Sequence, residues 1–321
     1  FDNCFRDDYL DFLIIEDQAG GETLQASLTQ FDMGRLVVPP DKVSEIAGKS
    51  IEMSYAICTD PAARGKGYGS HITVYAREIA ESSRKLSMLS PAEPSLIKFY
   101  EPLEYKKFMY AEQGSVLASE HVDFEFSHLQ TKVLTPQEYN NFRETILANR
   151  VHIKLSEGAL RFAAGLAAPY TSGSLPTLDA GSADLAGSLP TLDAGSANLA
   201  GSAPDCEAES GAPDSSGLLL ISDGAEPLAI AACEAAEAGS LAAAELLTFS
   251  EDGGHKELGI AIAKALATRC GAKRCDYMMP SRSGSETSAA LGMISASYEE
   301  LAEIYSAAPG ECPPYMGFTF G

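Results

Sequence analysis

Basic residues are scarce in this chain: 23 Lys and Arg stand against 45 Asp and Glu, a formal net charge of −22. Nonspecific nucleic-acid binding needs many cations to displace counterions from phosphate, so that class is excluded. A polybasic contact with an anionic membrane is excluded for the same reason. No apolar run approaches the length of a membrane span, and no signal-peptide pattern opens the sequence. The seven cysteines, Cys4, Cys58, Cys206, Cys233, Cys270, Cys275 and Cys312, are odd in number and contain no Cys-x-x-Cys pair. The five histidines lie far apart, none at metal-ligand spacing from a cysteine or another histidine. Scattered free thiols in a reducing cytoplasm fit this pattern better than a disulfide framework or a zinc site, and no metal is expected. What is present is a 321-residue chain with 45% hydrophobic residues, enough for two domains with real cores. It begins at Phe1 rather than Met, so a truncated N-terminus is expected, and whether a targeting segment was lost with it stays open.

One stretch organises the rest. Ile51 to Thr59 alternates and is β-rich, and Asp60-Pro61 ends the strand. Gly65, Gly67 and Gly69 follow, and then Ile72, Tyr75 and Ile79 recur at helical spacing, predicting a helix over about Ser70 to Ser83 with those residues on its apolar face. Strand, glycine-rich turn and helix aim free backbone N–H groups and a positive helix end at one point. A phosphate or pyrophosphate is the natural occupant. The loop is not a Walker A match, because no Gly-Lys-Ser/Thr closes it, and it lacks the spaced final glycine of the dinucleotide fingerprint.

The loop does fill the pattern Arg/Gln-x-x-Gly-x-Gly/Ala with Arg64, Gly67 and Gly69. Some thirty residues on, Phe99-Tyr100-Glu101-Pro102-Leu103-Glu104-Tyr105-Lys106 carries a second segment, with Glu104 and Tyr105 where Gly and Phe usually stand. Together these resemble the acetyl-CoA signature and the following Tyr segment of GNAT-type N-acetyltransferases. The competing explanation is a glycine turn followed by an aromatic core helix. The resemblance implies an α/β fold with a mixed α+β sheet of the acyl-CoA N-acyltransferase type, with acetyl-CoA as cosubstrate. It implies pyrophosphate on the backbone of Arg64, Gly65, Lys66, Gly67, Tyr68, Gly69 and Ser70, helped by a basic run holding Arg77, Arg84 and Lys85. The pantetheine arm would follow Ile57, Cys58 and Thr59, where that strand splays from Leu86–Leu89. Tyr100 takes the family's tyrosine position as general acid for the CoA thiolate, the alternative being a core aromatic. Glu52 is the candidate base, a surface carboxylate being its other reading. Tyr55 and His71 are weaker candidates, a water chain could replace all three, and Cys58 reads better as a small buried residue than as a ping-pong nucleophile.

In chain order, Phe1, Phe5, Tyr9, Phe12 and Leu13 form a helical stripe, and strands follow at Thr23–Gln30 and Leu36–Val38 across a turn at Asp32-Met33-Gly34. After the loop helix come a buried strand at Leu86–Leu89, a short helix from Pro94 through Tyr100, and a strand over Lys106–Glu112. This order matches the GNAT type except for a first strand that would precede Phe1. A second segment opens with a helix near Pro136–Leu147 and strand-like residues at Val151–Leu155 and Ala159–Ala163. Fourteen residues from Ser174 to Gly187 are then repeated from Ser188 to Gly201 with one change, Asn198 for Asp184. Two copies rich in Gly, Ser, Ala, Asp and Pro suit an acidic linker or insertion better than a solenoid. Strands resume at Leu218–Ser222, Leu228–Glu234 and Ala243–Phe249, with a helix over Lys256–Thr268, a strand over Asp276–Met279, a helix over Ser288–Ser295 and a last strand at Tyr315–Phe320. The order resembles a second GNAT half, yet Gly253 to Gly259 lacks the signature. Boundaries of 1–125, 126–170, 171–216 (the insertion) and 217–321 result, the second half being a degenerate copy that no longer binds CoA.

The function implied is acetyl transfer from acetyl-CoA to an amine, borne by a small molecule or a peptide, by direct attack. The alternative is a non-catalytic acyl-CoA sensor or partner-binding protein of the same fold. A magnesium-dependent nucleotide phosphotransferase is a third class, disfavoured because no lysine-hydroxyl pair closes the loop. Acceptor identity and oligomeric state are not legible.

Overall fold

The computed structural model describes residues 10–17, 23–42, 44–124, 126, 128–160, 217–236, 239–249, 255–281, 289–305 and 311–317. The repeat at 174–201 lies outside the described residues, as do Phe1, Phe5 and Tyr9. The first half supplies β1 (Leu10–Asp17), β2 (Thr23–Val37), β3 (Ser50–Thr59), α1 (Tyr68–Ser82), β4 (Leu86–Leu89), α2 (Ile97–Tyr100) and β5 (Lys106–Leu117). There follow β6 (Leu129–Val133), α3 (Pro136–Ile146), β7 (His152–Leu155), β8 (Gly217–Asp223), β9 (Glu226–Ala236) and β10 (Ser240–Thr248). The chain continues through α4 (Lys256–Arg269), β11 (Arg274–Pro280), β12 (Ala289–Ile294) and α5 (Tyr298–Ile304).

All of these strands join one mixed sheet, in the order β1-β2-β3-β4-β12-β5-β11-β10-β9-β8-β6, with β7 paired to β2. Apart from β6 at one edge, the order reads alike from both ends. Strands β1 to β4 lead inward to β12, which belongs to the second half, while β8 to β11 lead inward to β5 of the first. Each half thus lends its late strand to the other. Parallel pairing recurs at β3–β4 and β10–β11, and each exchanged strand is antiparallel to both neighbours. Because the lent strands cross, one core spans both halves, joining Met53, Met88 and Phe108 to Ile230, Leu247 and Met316. The halves therefore cannot be separated without unpairing β12 and β5.

Five expectations need correction. Leu10–Asp17 is a strand, not a helix: Phe12 and Ile14 alternate with Leu13 and Ile15, and pairing with β2 from Leu10–Phe31 to Asp17–Thr23 outweighs the helical stripe. Thr23 to Val37 is one strand, and Asp32-Met33-Gly34 is a bulge in it rather than a turn. Only glycine fits there, since a Cβ at residue 34 would lie 2.0 Å from the Lys154 carbonyl oxygen of β7. Ala289–Ile294 is strand rather than helix, because β4 and β5 hydrogen-bond it from either side and override the helical preference of its alanines. Ala159 and Leu160 fall in a helical turn, the rest of Ala159–Ala163 lying outside the described residues. At the C-terminus Tyr315 forms a single bridge with His152, and 318–320 lie outside the described residues.

Two polar features hold the second half. Arg143 of α3 and Glu245 of β10 are both fully buried, with Arg143 Nε donating to Glu245 Oε1 at 3.0 Å and Tyr139 donating to Oε2 at 2.7 Å. Arg143 also donates to the carbonyls of Ile153 and Met316, so every charge in the cluster is met by hydrogen bonds. At the start of α3, Thr135 and Glu138 form a reciprocal capping box. Thr135→Ala is expected to cost about 1 kcal/mol, read as a lowered denaturation midpoint. The Thr135 N–H holds the Glu138 pKa below its ordinary 4.5. The Thr135 hydroxyl lowers it further, and that share, the part Thr135→Ala removes, is present above the unfolded pKa and is lost as pH falls through the folded one, so the variant's deficit shrinks in acid.

Candidate active site

The site begins where β3 and β4 part. Their parallel ladder runs from Ile51–Leu86 to Ser54–Leu89, where β4 ends. β3 continues to Thr59, held by β2 as far as Thr59–Ala26. Between the pairs Thr29–Tyr55 and Ser27–Cys58 it carries an extra residue, with Ala56 in the left-handed region at φ 51. Such a bulge bends its strand and re-aims the residues beyond it. Among the described residues no strand pairs with β3 on the β4 side beyond Ser54. Ile57 of this segment packs against a buried apolar cluster of Leu89, Tyr100, Tyr105 and Met293, with Leu96 beside it.

The glycine loop follows the end of β3. Asp60 accepts from the Ala62 N–H at 2.7 Å and so caps the turn at Pro61–Ala63. The chain then turns through Gly65 and Gly67 at φ 80 and 84, a region that side chains other than glycine enter at a cost. Gly69 packs closely, a Cβ there falling 3.2 Å from Thr59 Oγ1. Between residues 64 and 70 the Lys66 N–H alone donates to a protein carbonyl, at 3.4 Å to Ala63, and hydrogen bonding resumes with His71 to Gly67 at 3.0 Å. The N–H groups of Arg64, Gly65, Gly67, Tyr68, Gly69 and Ser70 thus lack a protein acceptor among the described residues. Helix α1 has no side-chain cap and no acidic residue in its first turn, so its positive end stays uncompensated. Arg64 and Lys66 are exposed beside it.

Tyr100 closes α2 and is 7% exposed, its ring edge-on to Phe99 at 5.0 Å and to Tyr105 at 6.4 Å. Burial raises its pKa, which keeps the phenol protonated. Tyr105, with a pKa pushed up to about 12 by burial, hydrogen-bonds Ser87 at 2.7 Å. The Ser87 N–H in turn donates to Ser295 Oγ at 3.0 Å. Met293 and Ser295 come from β12 and the residue after its end, so the second half packs here against the first. The sequence did not reveal them because their segment reads as a helix.

Other expected residues fall into distinct places. Glu52 lies within the β3–β4 ladder, opposite Ser87, and is ion-paired with Lys85. Its hydrogen bond raises the Lys85 pKa. Arg77 is engaged with Glu104 and Glu81, so the basic run contributes Arg64 and Lys66 to the loop while Arg77 and Lys85 are committed elsewhere. Tyr55 packs against the central core and His71 is exposed; Cys58 is exposed as well, not buried as expected, because it lies beyond the end of β4. The face of α1 that is buried is Ile72, Thr73, Ala76 and Ala80, one step round from the expected stripe, and Tyr75 and Ile79 are 57% and 36% exposed. Small residues on the inner face let α1 lie close to the sheet, where the Gln30 side chain donates to the Ala76 carbonyl at 3.1 Å.

No protein-family model matches the sequence, and no curated protein resembles it significantly. Solved structures do. A GCN5-related N-acetyltransferase from Anabaena variabilis superposes with a TM-score of 0.51 at 12% identity, over 88% of this chain and 62% of that one. The fold is that of the GCN5-related N-acetyltransferases. One from Kribbella flavida gives a TM-score of 0.47 at 13% identity, over 85% of this chain and 57% of that one. A tandem GNAT protein from the clavulanic acid biosynthesis pathway gives 0.41 at 10% identity, over 84% and 74%. The chain spans less than two thirds of the length of the first two.

Within this acetyltransferase fold the second half repeats the opening but not the loop. β10 and β11 pair from Ser240–Arg274 to Ala243–Tyr277 and then both continue. A bulge follows at once in β10, between Ala243 and Glu245. The gap is filled: Met279 packs so close to α4 that a Cβ on Gly259 would lie 2.2 Å from its sulfur. The N-terminus of α4 is also occupied, since His255 Nδ1 accepts from the Leu258 N–H at 3.3 Å and Glu257 stands in the first turn. An anion would meet a carboxylate there.

Proposed function

We propose that the chain is an acyl-CoA-dependent N-acetyltransferase whose first half carries the site and whose second half has lost it. The observation that carries this reading is that the N–H groups of Arg64, Gly65, Gly67, Tyr68, Gly69 and Ser70 lack an acceptor among the described residues, beside the end of β3 where β4 has stopped. Those amides, the α1 dipole and the side chains of Arg64 and Lys66 suit the pyrophosphate of acetyl-CoA. The edge of β3 at Ile57, Cys58 and Thr59 that β4 does not reach suits the amide groups of pantetheine as an added strand would. The thioester then meets the apolar cluster near Tyr100, where low polarity strengthens any hydrogen bond to its carbonyl oxygen.

In the reaction the neutral amine attacks the carbonyl carbon and the new C–N bond forms as the C–S bond breaks. The sulfur leaves with the bonding pair and takes the Tyr100 proton, and the nitrogen loses its surplus proton. Glu52 takes that last proton only after release from Lys85, so a water at the opening is the more direct acceptor. The acidic surface favours encounter with a cationic amine, on a small molecule or a peptide. Among the described residues no helix is long and apolar enough to cross a membrane. Cys58, Cys233 and Cys275 stand outside disulfides, which accords with a reducing cytoplasm.

Calorimetric titration with acetyl-CoA, followed by free-thiol release with a panel of amines, tests the proposal. One-site binding with turnover on an amine is expected. Binding without turnover for any amine moves the chain to acyl-CoA sensing, and no binding removes the reading altogether.

A further inference from the structure

The turn that follows Tyr100 contains a conformational oddity. Glu104 is in the left-handed region, at φ 70 and ψ 16, where glycine is at ease and a residue with a Cβ is not. The turn closes on the tyrosine itself: the Glu104 N–H donates to Glu101 at 3.1 Å and the Tyr105 N–H to the Tyr100 carbonyl at 3.4 Å. Something must hold residue 104 in place, and Arg77 of α1 does so from outside the turn. Its Nη1 donates to the Leu103 carbonyl at 2.9 Å and pairs with the Glu104 carboxylate, and Nε lies 3.5 Å from Glu81. The Arg77 side chain is only 11% exposed, so its bond to the Leu103 carbonyl is the sheltered contact, whereas the Glu104 and Glu81 carboxylates are 71% and 48% exposed. Arg77 stands eight residues beyond Gly69, about 12 Å along the helix, too far down α1 to serve the anion cradle.

We propose that Arg77 is a positioning residue that ties the cofactor-binding helix to the left-handed turn at Leu103–Glu104 and thereby sets where Tyr100 stands. The inference rests on the acetyltransferase reading for its kinetic consequence, and on geometry alone for its structural one. Residue 104 is held by charge where glycine would hold itself. A glycine at that position therefore makes the arginine dispensable, and this is the basis of the test.

Arg77→Met, Glu104→Gly and the double variant are compared by acetyl-CoA titration, by steady-state thiol release and by hydrogen exchange at the Glu104 and Tyr105 amides. Arg77→Met is expected to lower kcat roughly tenfold to a hundredfold, as small misplacements of a reacting group do. Acetyl-CoA Kd should stay within about twofold, because the cradle is untouched. Exchange at the two amides should quicken about tenfold or more, the size expected for loss of a charge-assisted hydrogen bond. Adding Glu104→Gly should restore both kcat and slow exchange. Unchanged exchange in Arg77→Met, or no rescue by the glycine, overturns the proposal. A loss of Kd matching the loss of kcat also overturns it, by assigning Arg77 to the cofactor. If the unaltered protein turns over no amine, the acetyltransferase reading fails by itself, and the exchange data still decide the role of Arg77.

Discussion

Gly67→Asp is expected to abolish measurable acetyl-CoA binding while leaving the fold intact. Two effects add. Residue 67 has φ 84, so any side chain strains the loop by roughly 1 kcal/mol. The larger effect is charge, because the new carboxylate would stand beside the donors that the diphosphate needs. A pair of like charges about 5 Å apart repels by about 3 kcal/mol at an effective dielectric constant of about 20. That is more than a hundredfold in Kd for each phosphate charge so placed. Gly67→Ala separates the two effects, carrying only the strain and so costing about fivefold. The Cβ itself has room, its nearest contact being His71 at 3.8 Å, so neither variant should unfold the chain. Calorimetry with acetyl-CoA reads both, and circular dichroism confirms the fold. An aspartate variant that binds as tightly as the glycine would remove the loop from the site.

The part of the site that sequence made legible is the part built locally. Gly65 and Gly67, the uncapped start of α1, and Tyr100 on a short helix are all fixed by neighbours within a few residues, and each stands where its pattern places it. The opening beside β3 was legible only by resemblance. It depends on where β4 stops, and on a bulge at Ala56 whose φ of 51 alanine's composition does not announce. What escaped entirely was the exchange of strands. Ala289–Ile294 has helical propensity and no alternation, and it becomes a strand because two partners, more than 170 residues away in sequence, leave a slot between them. With that strand came Met293 and Ser295, which belong to the second half and pack against the first half beside the candidate site. Leu10–Asp17 failed for the opposite reason, a helical spacing of aromatics that began outside the described residues. Arg77 was legible as charge but not as purpose, since its partners at Leu103 and Glu104 are brought to it only by folding. The missing signature of the second half was legible, whereas the His255 cap at the start of α4 and the Met279 packing against Gly259 were not.

Tyr100→Phe should lower turnover by about two to four orders of magnitude, the range for loss of a general acid, while acetyl-CoA binds as before. The substitution removes one oxygen and leaves the ring against Leu89, Tyr105 and Met293, so stability should hold. Binding should hold too, because the cradle lies at residues 64 to 70 and makes no use of the phenol. The pH dependence gives a second reading. Burial raises the Tyr100 pKa above 10.0, and the acid works only while protonated. The rate it supports is therefore present through neutral and mildly alkaline pH and is lost only as pH rises through that raised value. The fall in kcat above about pH 10 should vanish from the residual rate of the phenylalanine variant. If Tyr100→Phe keeps the full rate, the tyrosine is a core aromatic and the leaving thiolate draws its proton from water. A loss of rate and affinity in equal measure would instead make the phenol part of the coenzyme's binding surface.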